Sequence, residues 1–409
     1  MSSSATERAA AILATTRPIF DRLSNVYGYE VDLPSGFGPE LAKLAAEGGG
    51  GIGSWRSLGF DGIMGLGRGH LTFPRGLLIE QFPVLFPPEV LVVGVPRDPK
   101  GDRELLDACR QLKDVGYELE LVNFLPGQMD SPFLDFGDMV RVSASLPRRD
   151  QAEICEKLVA RGIRTIATGV DTPRQHENAV EAGFWYFQGD FFRRPILTSA
   201  QELPSQKAHY LALLKEVSRP ELVYDELETI IRLDVAMTYR LLRFINSAWH
   251  GLRQTVDSVR HALVLLGPRE VRWWASMLIL RELGDDKPKE LFRRCLIRAK
   301  MAEGIAPLIG LGAKASELFL TGMFSLVEAL TNVPLTRVLE GLPLNEDIKL
   351  ALLIHAGPYG PVYEAVEHYE LGEWDQLAGS LEELELDKDA LPEVFVAAVR
   401  WADNAVNSM

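Results

Sequence analysis

Seven histidines and three cysteines are among the side chains of this 409-residue chain that could bind a metal ion or act as nucleophiles. The cysteines, Cys109, Cys155 and Cys295, are odd in number and far apart, which indicates neither a disulfide framework nor a clustered metal site. The histidines show no paired spacing of the kind that metal ligands have. We therefore predict buried thiols, and histidines that lie on the surface or form hydrogen bonds in the core. The histidines are His70, His176, His209, His250, His261, His355 and His368.

Two further motifs could carry chemistry. The glycine run Gly48 to Gly51 could form a loop that binds phosphate, but no Gly-Lys-Ser/Thr follows it and no strong strand precedes it, so a flexible connection is favoured. The pair Asn246-Ser247 ends a predicted helix and could be catalytic. Capping of that helix by hydrogen bonds to the backbone explains the pair more simply.

Any such side chains must be positioned by the surrounding elements, and residues 164–195 show their arrangement most clearly. Arg164–Thr168 alternates around β-branched residues, which is typical of a strand, and Gly169 marks a turn. Gln175–Ala182 can form a short helix before the aromatic run Phe184–Phe187. A strand, a helix and a second strand at this spacing belong to a βα unit.

The rest of the first half continues the same alternation. Strands are predicted at Arg17–Asp21, Val26–Asp32, His70–Phe73, Val90–Val95, Tyr117–Phe124 and Met139–Ser143. Helices are predicted at Asp102–Val115, which Gly116 ends, and at Gln151–Arg161. The fold class of this half is therefore α/β.

Composition limits the environment and the partners. A net charge of −14, with 47% hydrophobic and 24% charged residues, is typical of a soluble globular protein, and the acidic excess disfavours nucleic acid as a partner. No apolar run approaches the roughly 20 residues that cross a bilayer. We expect a cytoplasmic protein that is not inserted into a membrane. One group of arginines could form a local patch or pair within the fold: Arg269, Arg272, Arg281, Arg293, Arg294 and Arg298.

Both ends of the first half resemble the EAL family, the bacterial cyclic di-GMP phosphodiesterases. Arg17-Pro-Ile-Phe-Asp21 and the following Gly28-Tyr-Glu30 resemble its opening Q-P-I-V-D and G-Y-E motifs. Ala167-Thr-Gly-Val-Asp-Thr172 and Gln188-Gly189 resemble its closing A-E-G-V-E-T and Q-G motifs. The resemblance implies a TIM-like βα-barrel whose metal ligands project from the carboxyl ends of the strands. Because residues 17–195 are few for eight strands, we expect that a helix or strand is missing.

Most positions that the resemblance marks as functional are substituted. Glu30 and Gln188 are retained, and Asn123 and Asp171 are remnants of an aspartate and a glutamate. The other functional residues of the family motif are replaced here by Pro34, Thr72, Gly94, Val122, Ser143 and Thr168. Two-metal hydrolysis needs several oxygen ligands, mostly carboxylates. The first half is therefore predicted to be a degenerate EAL domain with no catalytic residues, no cofactor and no metal.

The second half is predicted to be all helical. Apolar residues recur there at helical spacing, and Ser258 can cap a helix that Gly267-Pro268 closes. Leu233 to Ala248, followed by Ser258 to Gly267, resembles the HDOD family, a helical output domain related to metal-dependent HD phosphohydrolases. No histidine is followed by aspartate, and the position that the resemblance gives to that pair reads Ser325-Leu326.

The adjacent pair Trp273-Trp274 is the best candidate for a partner surface. Neighbouring residues on a helix point about 100° apart, so two indoles do not easily share one core face. Tryptophan is also enriched where proteins bind each other. The alternative is that both indoles are buried between helix layers or between the two domains.

These observations predict a degenerate EAL barrel in residues 1–197 and an HDOD domain in residues 198–409. We expect a signalling protein that is not an enzyme and acts by contacts with an unidentified signalling protein. One alternative is a receptor whose inactive barrel still binds cyclic di-GMP and regulates the HDOD domain. Another is a residual phosphohydrolase in the second half. The oligomeric state, including a homodimer, is left open.

Overall fold

The computed structural model describes residues 14–33, 67–96, 102–195, 208–217, 219, 221–247, 255–342 and 344–408. The chain forms two compact units that part between Arg194 and Pro195, with Glu370–Gly372 grouped with the first unit. The predicted boundary after residue 197 lies outside the described residues and stays a prediction. The glycine run at residues 48–51 and Pro34 also lie outside them.

The first unit contains a closed barrel of eight strands in chain order. The strands are β1 (Thr15–Phe20), β2 (Val26–Asp32), β3 (Arg68–Thr72), β4 (Leu91–Val95), β5 (Glu118–Phe124), β6 (Met139–Ser143), β7 (Arg164–Thr168) and β8 (Tyr186–Gln188). Strand β1 is antiparallel to β2 and β8, and all other pairs are parallel. No strand is missing, so the expectation of a missing element is wrong for the strands.

Four described helices surround the barrel: α1 (Arg75–Ile79), α2 (Arg103–Val115), α3 (Arg148–Val159) and α4 (Pro173–Ala182). Asp102 caps α2 by accepting from two backbone N–H groups, and Thr172 forms a capping box with Gln175 at α4. Gly116 and Gly183 end these helices with φ of 104° and 101°, which glycine adopts without strain. The connection from β5 to β6 contains two short 3₁₀ turns and no α-helix.

Apolar and charged layers alternate inside the barrel. Ile19, Val92, Met139 and Ile166 form a fully buried cluster against which Tyr27 and Tyr186 pack. Towards the amino ends of the parallel strands, Glu118 pairs with both Arg68 and Arg164 at 3.0 and 2.8 Å. Charged residues in these strands therefore face the barrel interior, at every second position, as the strand period of two requires.

The second unit is helical throughout its described residues. Its helices are α5 (Ala208–Val217), α6 (Tyr224–Arg232), α7 (Val235–Ile245), α8 (Val259–Leu283), α9 (Lys289–Ile305), α10 (Ala315–Phe324), α11 (Val327–Thr331), α12 (Leu335–Gly341), α13 (Glu346–Ile354), α14 (Gly360–Leu371), α15 (Trp374–Glu383) and α16 (Leu391–Ser408). Among the described helices, none is both long enough and apolar enough to cross a bilayer.

Helix α8 contains the break that Gly267-Pro268 predicts. Ser258 caps its start by accepting from the backbone N–H of His261, and Gly267 has φ 75° and ψ 172°, so the chain leaves helical geometry there before Pro268. Helix α9 lies at the centre of the unit and is buried on almost every face. A Cβ atom at Gly322 would lie 2.4 Å from the carbonyl oxygen of Arg298, so α9 and α10 touch backbone to backbone.

Candidate functional site

The barrel brings together two of the four remnant residues that the sequence singled out. Glu30 lies near the carboxyl end of β2 and Gln188 at the carboxyl end of β8. The Nε2 amide of Gln188 donates a hydrogen bond of 2.9 Å to Glu30 Oε2. The two residues are 158 positions apart in the sequence, and the closure of the barrel through β1 makes them neighbours.

Arg141 of β6 occupies the interior beside this pair. Its Nη1 donates to Glu30 Oε1, and its Nε lies 2.5 Å from Oε1 of Glu120 on β5. The Arg141 side chain is 5% exposed and that of Glu120 is 1% exposed. One guanidinium therefore joins two carboxylates from opposite sides of the barrel mouth.

His70 of β3 extends this network to a fifth strand. Its Nδ1 lies 2.7 Å from Glu120 Oε2, and its ring is fully buried. Gly28 makes room for the imidazole, because a Cβ atom there would lie 2.9 Å from His70 Nε2. The prediction that histidines lie on the surface or form hydrogen bonds in the core is confirmed at His70.

The electrostatics of the network favour charged side chains. Burial penalises the ionised form of Glu120, but Arg141 and His70 outweigh that penalty and hold the pKa of Glu120 below its ordinary value. Burial likewise opposes the charge of Arg141, yet Glu120 and Glu30 raise the pKa of the guanidinium. Glu120 and Arg141 are thus an ion pair at neutral pH.

The other two remnant residues do not join the network. Asn123 is exposed and has φ 55°, and no hydrogen bond links it to Glu30 among the described residues. Asp171 is exposed in the turn after β7, where its Oδ1 accepts from the backbone N–H of Asp190 at 3.2 Å. Asp171 therefore has a structural partner of its own. No finding tests these four residues as a site, and their role stays a prediction.

Small or neutral side chains surround the network at the mouth. Thr72 pairs with Gly94 in the register of β3 and β4, and a Cβ atom at Gly94 would lie 2.6 Å from Thr72 Oγ1. Ser143 and Thr168, paired between β6 and β7, are exposed and half-buried. A longer side chain at position 94 would therefore require Thr72 to move.

A divalent metal, which the EAL resemblance implies, does not fit the donors in the described part of the chain. No group of three or more His, Cys, Asp or Glu side chains there could hold an ion. The two carboxylates of the network, Glu30 and Glu120, already bind the guanidinium of Arg141. A protein cation thus stands between the carboxylates where a metal would need their free oxygens.

Sequence reasoning did not select His70, Glu120 and Arg141 as site residues. Glu120 lies between Leu119 and Leu121, and Arg141 lies between two valines. A charged residue at an inward position of a buried strand is the signal that could have found them. It indicates an interior charge, but it does not say which partner that charge meets.

In the helical unit, a buried arginine contacts the position where the HDOD resemblance places the lost His-Asp pair. Ser325, where the HDOD resemblance places the lost His-Asp pair, donates to the carbonyl of Gly322 at 2.7 Å. Arg298 Nη1 donates to Ser325 Oγ at 3.2 Å and to Glu367 Oε1 at 3.0 Å. Arg298 is 1% exposed. This cluster resembles the barrel network in pairing a buried guanidinium with a carboxylate.

The remaining candidate residues pack in the core or cap a helix. Trp273 is 6% exposed and Trp274 is 0%, so both indoles are buried, which is the alternative that the sequence analysis gave for the pair. Their contribution to partner binding stays a prediction.

Asn246 caps α7 and binds the segment after residue 254, because its Nδ2 donates to the carbonyls of Leu242 and Val256 at 2.8 and 2.7 Å. The capping interpretation is thus confirmed.

The three cysteines are buried, as predicted, and burial raises the pKa of Cys109 to about 12 and that of Cys155 to about 11. The arginine group does not form a free patch, because most of its members pair within the helical unit. These pairs are Arg269 with Glu303, Arg293 with Asp403, Arg294 with Glu290 and Arg298 with Glu367.

Comparison with known proteins identifies relatives of the whole chain. The HDOD domain family model matches residues 203–333. The cyclic di-GMP phosphodiesterase CdgJ of Vibrio cholerae is 30% identical over 351 residues, which cover 85% of this chain and 81% of that protein. The uncharacterized protein YuxH of Bacillus subtilis is 28% identical over 413 residues, covering 97% of this chain and 99% of that protein.

Solved structures also match this chain. An EAL domain protein of Listeria monocytogenes is 19% identical with a TM-score of 0.35, over 47% of this chain and 94% of that one. The Bacillus subtilis YkuI protein, which has an EAL domain, is 15% identical with a TM-score of 0.35, over 61% of this chain and 71% of that one.

The comparison with CdgJ corrects one expectation. The substituted ligand positions led us to expect that the chain is not an enzyme. That expectation is wrong, because a relative with 30% identity over most of both chains is a cyclic di-GMP phosphodiesterase. The substituted positions are unaffected by this correction. They are the points at which this barrel differs from the EAL motif.

Proposed function

We propose a cyclic di-GMP signalling function for this chain, which belongs to the EAL–HDOD family of two-domain signalling proteins. The barrel binds the cyclic dinucleotide at the carboxyl ends of its parallel strands, the end at which βα-barrels hold their ligands. The helical unit binds a protein partner through its surface, and nucleotide binding regulates that interaction.

The observation that carries this proposal is the ion pair between Arg141 and Glu30 at the barrel mouth. A carboxylate alone would repel the two phosphates of a cyclic dinucleotide. The guanidinium beside it, which Glu120 shares, offsets part of that charge without a metal ion. An anionic ligand can therefore approach Glu30 and Gln188 from the open end of the barrel.

The side chains around the pair support the same ligand. Thr72 and Ser143 are exposed at the ends of β3 and β6, and Thr168 is half-buried at the end of β7. Their hydroxyl groups can donate hydrogen bonds to phosphate oxygens. Gly94 keeps the mouth open between β3 and β5.

The surface of the helical unit supports a protein partner. Leu233, Val235 and Tyr239, around the start of α7, are 70%, 84% and 63% exposed. Val235 and Tyr239 are four residues apart and so lie on one face of the helix. Exposed apolar residues that lie together mark surfaces where other proteins bind.

Calorimetric titration with cyclic di-GMP tests the binding step. We expect saturable binding that Ser143→Asp weakens by about tenfold, because the new carboxylate repels phosphate close to Arg141. Ser143→Asn introduces a side chain of the same size as aspartate but without the charge. This variant should bind within about twofold of the wild-type protein. No binding at millimolar nucleotide, or equal binding by both variants, would contradict the proposal.

Hydrolysis of cyclic di-GMP is a second candidate function. It is favoured by the activity of the Vibrio cholerae relative, which is 30% identical to this chain over 351 residues. Chromatography of the linear dinucleotide product, with Mg²⁺ or Mn²⁺ and with a chelator, tests it. Product that requires the metal supports the candidate, and nucleotide recovered intact under every condition rejects it while leaving the binding proposal in place.

A further inference from the structure

A pocket of about 590 Å³ opens at the end of the barrel opposite the ion network. It lies where β1 ends and β8 begins, between α3 and the end of α4. Strand β1 is antiparallel to β8, with Phe20 opposite Phe187, so the turn after β1 and the residue before β8 are neighbours. This position separates the pocket from the mouth described above.

Small side chains create the space of this pocket. Ala152, Ala160, Ala182 and Gly183 line it, and each leaves volume that a larger residue would fill. Cys155 forms part of the floor as a buried thiol that burial keeps protonated, with its pKa raised to about 11. Pockets of roughly 300–1,000 Å³ are the usual size for small-molecule sites.

An exposed indole forms one wall of the pocket. Trp185 is 48% exposed, and it adjoins Phe184, which is fully buried. Val159, 43% exposed, lines the pocket from α3. A large aromatic face that remains half in water beside a cavity offers a stacking surface for a flat ring.

Arg22 supplies a cation beside this wall. Its Nε donates a hydrogen bond of 2.8 Å to the carbonyl oxygen of Phe184, so the guanidinium is held next to Trp185. Within the described part of the chain, no carboxylate lies within ion-pair distance of Arg22. An acidic ligand could therefore pair with its guanidinium without breaking an existing ion pair.

We propose that this pocket binds a small aromatic anion, with the ring stacked on Trp185 and the acidic group on the guanidinium of Arg22. Glu156 of α3 also lines the pocket and limits the ligand to one negative charge, because a second acidic group would meet that carboxylate. This second site is independent of the cyclic di-GMP function proposed for the mouth.

Fluorescence titration with 8-anilinonaphthalene-1-sulfonate, a fused aromatic ring with one sulfonate, tests this site. We expect one saturable site on the full chain. Arg22→Gln should weaken binding by about tenfold, as the loss of a charged hydrogen bond does. Glu156→Gln should strengthen binding, because it removes the repelling charge. Arg149→Gln is the matched control, since Arg149 lies exposed at the start of α3 and does not line the pocket.

A second variant guards against loss of folding. Ala152→Leu places a larger side chain in the pocket and removes no contact, so it should weaken saturable binding while the circular dichroism spectrum stays unchanged. Binding that is the same in Arg22→Gln, Ala152→Leu and Arg149→Gln would place the probe elsewhere and overturn the proposal. Absence of any saturable binding to the wild-type protein would overturn it as well.

Discussion

Arg141 and Glu30 lie 111 positions apart in the sequence and form a direct ion pair inside the barrel mouth. The same guanidinium holds Glu120, which in turn contacts His70. A single buried guanidinium thus contacts two carboxylates on separate strands. The stability of the barrel and the charge at its mouth both depend on this residue.

Arg141→Met should lower the free energy of unfolding by about 3–5 kcal/mol, because it leaves two largely buried carboxylates without their cation. Urea unfolding followed by circular dichroism measures this change. Arg148→Met is the control, since Arg148 pairs with Glu181 on the surface, where both side chains are 60% exposed. The control should change stability by about 0–1 kcal/mol. Equal effects of the two substitutions would show that Arg141 does not compensate the interior charge.

The contribution of Glu120 should depend on pH in one direction. Arg141 and His70 hold its pKa in the folded protein below the ordinary value of 4.5. The stabilisation is therefore fully present above pH 4.5 and is lost as the pH falls through the lower, folded-state pKa. Glu120→Gln should be less stable than the wild-type protein at pH 7, and the difference should shrink below pH 4.5.

Unfolding free energies measured at intervals between pH 7 and pH 3 check this dependence. Glu177→Gln, at an exposed position of α4, should follow the wild-type curve throughout. A wild-type advantage over Glu120→Gln that grows on acidification would contradict the ionised state of Glu120.

Two glycines of the helical unit should respond to alanine in opposite ways. Gly322→Ala places a methyl group 2.4 Å from the carbonyl oxygen of Arg298, so α9 and α10 must separate, at a cost of about 1–3 kcal/mol. Gly379 of α15 has open space around it, and Gly379→Ala should stabilise by about 0.5–1 kcal/mol through helix propensity. Thermal unfolding of both variants measures the pair. A neutral Gly322→Ala would mean that the two helices do not meet so closely.

Replacing a buried tryptophan with alanine should lower stability much more than replacing a half-exposed one. Trp273 contacts Phe319 and Trp401, and the cations of Arg269 and Lys300 lie 4.4 and 4.0 Å from its ring centre. Trp273→Ala and Trp274→Ala should each destabilise by about 3–5 kcal/mol. Trp185→Ala, at the half-exposed indole of the barrel, should cost far less. Denaturant unfolding measures all three, and a mild effect at position 273 or 274 would indicate an indole that does not support the core.

Much of the fold follows from local pattern. The strands β6 and β7 were predicted to the residue, because β-branched runs bounded by turn residues indicate strands. Asp102 and Gly116 delimit α2 through capping geometry that their own side chains determine. The break at Gly267 followed from the Gly-Pro pair alone. The number of strands did not follow, because closure of a barrel depends on pairing between distant segments.

The sequence by itself determined the order of strands and helices, the caps that end them, and the loss of most EAL ligand positions, since each of these depends on residues close together in the chain. Only the tertiary structure decided that Arg141 stands between Glu30 and Glu120, and that Trp273 and Trp274 are buried. The stagger of strands in a closed barrel and the packing of helices on one another place residues more than 100 positions apart in contact, and no local periodicity encodes those partners.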